Sequence, residues 1–134
     1  MQRCALVIDD NRLVANNLAR MLEMLGYNAR PLYGAPAAIQ ALTVQIPDVI
    51  LLDIHMQTIN GIELCRYIRS QPAMNKVYII GISSDTQSEM VAAMRAAGAN
   101  AFISKPLTLE ALEAVLYDWE HPPTPDDHTR LLSN

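Results

Sequence analysis

Several polar residues stand where apolar runs end. Asp9 and Asp10 close Cys4-Ala5-Leu6-Val7-Ile8. Asp53 closes Val49-Ile50-Leu51-Leu52, Ser83 closes the run from Val77 to Ile82, and Lys105 follows the short stretch Ala101 to Ser104. If these runs are parallel strands, a ligand binds beyond their carboxyl ends. Three carboxylates, a hydroxyl and an ammonium would then meet in one pocket. Such a cluster is poor for stability, because two carboxylates about 4 Å apart repel by roughly 4 kcal/mol at an effective dielectric near 20. A hard divalent cation resolves the conflict. Mg2+ takes oxygen ligands and keeps several waters, and its open positions can hold phosphoryl oxygens. Singly, each residue has an ordinary reading: an Asp capping the next helix, Ser83 or Ser84 in a turn, Lys105 solvated on the surface. Their convergence in this chemical mix argues for a site.

The intervening stretches must position them. Leu13, Val14, Leu18, Met21, Leu22 and Leu25 recur at helical spacing, and Gly26 follows as a stop. Ala29 to Tyr33 reads as a weaker strand, at a sheet edge because Pro31 lacks a ladder donor. Pro36 suits a first helical turn, with a helix from Ala37 to Gln45. Ile62, Cys65 and Ile68 mark one helical face after Gly61. Thr86-Gln87-Ser88-Glu89 reads as a capping box for a helix over Met90 to Ala97, and Thr108 as the cap of a helix reaching about Glu120. Five strand–helix repeats argue for one doubly wound α/β domain with a parallel sheet, over residues 1–120. Residues 121–134 begin with His121-Pro122-Pro123-Thr124-Pro125 and read as a tail or linker stub, too short for an output domain.

Composition narrows the function. Of 134 residues, 51% are hydrophobic and 18% charged, which is globular rather than disordered. Ten Lys+Arg against 14 Asp+Glu give a net charge of -4, which argues against direct nucleic-acid binding. The longest apolar run is too short to span a bilayer, and Asp9-Asp10 interrupts the only early one, so neither a membrane span nor a secretory signal is expected. Cys4 and Cys65 lack metal or redox spacing and read as buried, reduced thiols in a cytoplasmic protein.

The stretches Leu6-Val7-Ile8-Asp9-Asp10-Asn11, Val49 to Met56, Gly61, Ile80 to Ser84 and Phe102-Ile103-Ser104-Lys105-Pro106 occur in this order. With them, residues 3 to 119 resemble the receiver domain of two-component response regulators, of the chemotaxis-receiver type. The resemblance implies a flavodoxin-like fold, five parallel strands in the order 2-1-3-4-5 with five helices. It implies Asp53 as phosphoacceptor, Asp10 as a direct ligand of Mg2+ (Mn2+ could substitute), Asp9 supporting the ion, and the backbone carbonyl of His55 as a further ligand. Ser83 would donate its hydroxyl to the phosphoryl group and Lys105 would pair with a phosphoryl oxygen. Lys105-Pro106 would be cis, and Phe102 would be the aromatic switch residue.

The implied donor is a sensor histidine kinase or a histidine phosphotransfer protein, docking at the first helix. The implied output surface is the fourth helix, fifth strand and fifth helix, which would also serve a homodimer. Catalysis would stop at self-phosphorylation and slow self-dephosphorylation. His55 and Asp85, two residues past Asp53 and Ser83, occupy positions that tune dephosphorylation in this family. Gln57 stands where the family commonly has proline, and Ser83 where threonine is commoner. Two other readings compete: a phosphorylation-independent interaction module and a haloacid-dehalogenase-type phosphatase. The phosphatase reading suffers because its second acid, two past the nucleophile, would be His55.

Overall fold

A computed structural model describes residues 2–57 and 59–122. Five strands, β1 (Cys4–Ile8), β2 (Asn28–Leu32), β3 (Val49–Asp53), β4 (Tyr78–Ser83) and β5 (Ala101–Ser104), alternate with five helices. The helices are α1 (Arg12–Met24), α2 (Ala35–Leu42), α3 (Gly61–Arg69), α4 (Ser88–Ala97) and α5 (Leu109–Glu120), with a 3-10 turn at Pro72–Met74. The sheet is parallel throughout, in the order β2-β1-β3-β4-β5. All five carboxyl ends therefore share one edge, as the sequence implied.

Alternation along the strands divides the core into two layers. Ala5, Val7, Leu51, Ile80 and Ile82 pack under α1 and α5 against Leu18, Leu22, Leu112 and Leu116. Leu6, Ile8, Ile50, Leu52 and Ile79 face α2, α3 and α4, meeting Leu64, Ile68 and Met94. Central β3 is buried at every position, which is why its sequence reads as an unbroken apolar run. Pro31 sits on edge strand β2, whose only sheet neighbour among the described residues is β1.

Three local expectations need correction. α2 spans Ala35–Leu42 rather than Ala37 to Gln45; Thr43 ends it, its hydroxyl donating to the Gln40 carbonyl at 2.6 Å. The capping box at Thr86 is absent. Gln87 is the N-cap of α4 without a side-chain bond, and the Asp85 carboxylate instead accepts the Gln87 N–H at 3.0 Å, shaping the turn before the helix. Cys4 is only half-buried, although both cysteines are free. Thr108 does cap α5, accepting the Ala111 N–H at 3.1 Å. Lys105-Pro106 is cis. His121 caps the end of α5 and stacks on Tyr117, while residues 123–134 of the expected tail lie outside the described residues.

The last turn of α5 is clamped at the amino edge of the sheet. Trp119 stacks on Tyr78 at 5.1 Å and lies under the Arg3 guanidinium at 4.6 Å. The Tyr27 hydroxyl donates to Glu120. Burial, then the Glu120 carboxylate, holds the Tyr27 phenol well above its ordinary range. An unfolded tyrosine ionises near pH 10, so the stability this phenol contributes is fully present below about pH 10. It fades above that, because the unfolded chain then sheds a proton the folded one keeps. Tyr27→Phe should cost about 1–2 kcal/mol at neutral pH and flatten the loss of stability at alkaline pH, as measured by urea denaturation across a pH series.

Candidate functional site

The parallel sheet delivers its polar residues to one edge. Asp9 follows β1, Asp53 ends β3, Ser83 ends β4 and Lys105 follows β5. Asp9, Asp53 and Ser83 are buried at 1%, 4% and 0% exposure, whereas Asp10 is exposed. The Lys105 Nζ lies 3.2 Å from Asp53 Oδ1 and 3.4 Å from Asp9 Oδ2. One oxygen each from Asp9, Asp10 and Asp53 lie within 4.8 Å of one another.

Backbone amides hold these carboxylates. The Asn11 N–H donates to Asp9 at 2.9 Å, the Gln57 N–H to Asp10 at 3.1 Å, and the His55 N–H to Asp53 at 3.4 Å. Asn11 also caps α1 by accepting the Val14 N–H. The roles of Asn11 and Gln57 were not anticipated. Asn11 carried a signal, a capping residue just before a helical period; a backbone donor such as Gln57 carries none. Gly61 opens α3 with its N–H on the Ile54 carbonyl at 2.7 Å. A Cβ there would overlap the Asp53 carbonyl oxygen and come within 2.6 Å of Ile54 Cα. Gly61 thus lets α3 start against the strand that carries Asp53.

Three negative charges surround one positive charge. Burial and the Asp9 charge raise the Asp53 carboxyl above its ordinary value, and Lys105 only partly offsets them. Burial would lower Lys105, yet Asp53 and Asp9 outweigh it and hold the ammonium above its usual range. A hard cation would relieve this imbalance. The donors are all oxygens and close enough to share one ion, so the residues present fit Mg2+ chemistry.

The remaining expected residues lie around this cluster. The Ser83 hydroxyl accepts the Asp85 N–H at 2.9 Å and lies 3.0 Å from His55 Nε2. The Asp85 carboxylate is engaged with Gln87 rather than with the other acids. Phe102 pairs across from Gly81 and is half-buried against the α2–α4 layer.

The model of the response regulator receiver domain matches residues 5–117. The chain belongs to this family. The response regulator MprA of Mycolicibacterium vanbaalenii is 34% identical over 122 residues, 91% of this chain and 52% of that protein. The chain thus spans about half the length of the curated relatives it matches. The Vibrio cholerae chemotaxis protein CheY4 shares the fold, with a TM-score of 0.83 at 23% identity, covering 87% of this chain and 98% of that one. The receiver domain of the sensor histidine kinase PA1611 from Pseudomonas aeruginosa has a TM-score of 0.80 at 25% identity, covering 89% and 98%; its structure holds a magnesium ion in the active-site cleft.

This receiver domain should respond to two substitutions in opposite senses. Gly61→Ala should destabilise it by about 1–3 kcal/mol or more, since backbone cannot move aside cheaply. Asp53→Asn should stabilise it in chelator-treated buffer. The raised Asp53 pKa means that charging this carboxyl disfavours folding, so the gain should appear as pH rises above the ordinary carboxylate range and vanish below it. Urea midpoints of the variants and wild type at acidic and neutral pH check both.

Proposed function

We propose that this receiver takes a phosphoryl group from a sensor histidine kinase or a histidine phosphotransfer protein onto Asp53. The observation that carries this reading is the meeting of Asp9, Asp10 and Asp53 oxygens within 4.8 Å, with the Lys105 ammonium 3.2 Å from Asp53. An Asp53 oxygen attacks phosphorus, the P–N bond to the donor histidine breaks, and its electron pair stays on the imidazole. Asp9, Asp10 and Asp53, with the His55 backbone carbonyl, would hold Mg2+ or Mn2+. Bound there, the ion neutralises charge on the transferring oxygens. Lys105 pairs with one phosphoryl oxygen, and the Ser83 hydroxyl donates to another. The magnesium in the PA1611 receiver supports the ion assignment.

The donor docks beside the acceptor. A groove of about 420 Å³ runs between α1 and the residues after β5, lined by Val14, Leu18, Met21, Ile82, Pro106 and Leu107, with Lys105 at its margin. The output is a change in the surface of α4, β5 and α5 as Ser83 and Phe102 rearrange. α5 exposes Glu110, Glu113 and Asp118 and carries no Lys or Arg, so a partner there should be basic, and a homodimer through this face must offset like charges. The domain acts in the cytoplasm, catalyses only its own phosphorylation and slow dephosphorylation, and makes no direct nucleic-acid contact. Among the described residues no helix is long and apolar enough to cross a membrane.

Acetyl phosphate with Mg2+ should add one phosphoryl group per chain, read by intact-mass spectrometry. Chelation of the metal or Asp53→Asn should abolish the addition. Modification that persists in Asp53→Asn, or its absence from the wild type, would overturn the reading.

A further inference from the structure

Ser83 is fully buried, and its hydroxyl has two neighbours. The Asp85 N–H donates to Oγ and occupies one lone pair. The hydroxyl proton still needs an acceptor, since a buried donor without one bears its full desolvation cost. Among the described residues, the partner left to receive it is His55 Nε2, at 3.0 Å, and no buried side-chain N or O lacks a partner. This arrangement matches an imidazole protonated on Nδ1, with Nε2 accepting from Ser83. His55 itself is exposed on the loop after β3, so its ring reaches from the solvent side to the end of β4.

We propose that His55 is a positioning residue that keeps the Ser83 hydroxyl engaged away from Asp53 until a phosphoryl group competes for it. The inference rests on the receiver function proposed above. A hydroxyl has one proton to donate. To give it to a phosphoryl oxygen on Asp53, Ser83 must release Nε2, exchanging one O–H···N bond for one O–H···O bond with no net proton transfer. The imidazole therefore weights the resting state. Its influence runs through Ser83. The His55 main-chain N–H, which donates to Asp53, survives any substitution at 55 except proline, so changing the side chain isolates the ring.

Beryllofluoride with Mg2+, a non-transferable mimic of the phosphoryl group, is the probe, titrated onto the full chain by calorimetry or NMR. His55→Ala should tighten its binding roughly 2- to 10-fold, the equivalent of one net hydrogen bond. His55→Gln, whose amide oxygen can take the same proton, should bring affinity back toward wild type. In a Ser83→Ala background, His55→Ala should leave affinity unchanged. Unchanged or weaker binding by His55→Ala, no recovery in His55→Gln, or equal tightening in the Ser83→Ala background would each overturn the inference while the receiver function stands. A wild-type chain that neither binds beryllofluoride nor accepts phosphate on Asp53 would overturn both.

Discussion

One ammonium among three carboxylates sets the terms for this fold. Lys105 reaches Asp53 and Asp9, and no second cation is paired with the cluster among the described residues. Each carboxylate also accepts one backbone N–H, yet amides carry no net charge. These bonds anchor the carboxylates but leave the excess charge in place. Burial first, and then the Asp9 charge, keeps the Asp53 carboxyl above its ordinary range despite Lys105. A site in this condition favours ligands that bring positive charge, and an ion held there can recruit anionic oxygens in turn.

Repulsion of this kind has to be held by something stiff. β3 is buried at all five positions and paired on both sides, to β1 and β4. Asp53 cannot retreat into solvent without disturbing that strand. Lys105 is fixed through its own backbone, its N–H on the Ser83 carbonyl at 2.8 Å. The rigid groups thus set the charge, and the adjustable ones are side chains at the strand ends. Ser83 is one of them, at the end of β4, which pairs with β3. Its hydroxyl is bonded in the resting state, so moving it exchanges one bond for another and leaves no orphaned donor.

Much of this was legible in the sequence, for physical reasons that differ by residue. The strands could be read because a parallel sheet buried on both faces demands unbroken apolar runs such as Val49 to Leu52. The acids and Lys105 could be placed because strand ends in such a sheet share an edge. The limits of α2 and α4 could not, since Thr43 and Asp85 act through local backbone bonds that compete with helix continuation. The bond from the Gln87 amide to the Asp85 carboxylate could not be read either, because it depends on the turn before α4. The need for glycine at 61 depends on a close approach between α3 and β3 that no local pattern encodes. His55 bonding to Ser83 joins residues 28 positions apart and follows only from the pairing of β3 with β4.

Stability and chemistry occupy opposite edges of the same sheet. At the amino edge, Arg3, Tyr27, Tyr78, Trp119 and Glu120 join the end of α5 to the starts of β1, β2 and β4 through stacking, cation–π and hydrogen-bond contacts. At the carboxyl edge, β1 and β3 present carboxylates that repel. Parallel pairing makes this separation possible, because all strands start at one edge and end at the other. A helix fixed firmly at its far end can still adjust near its start, and α5 starts beside Lys105-Pro106, close to the charged cluster. On the proposed function, charge neutralisation would therefore act on the near end of α5 together with β5 and α4, while the clamp at Trp119 holds the far end of the helix to the sheet.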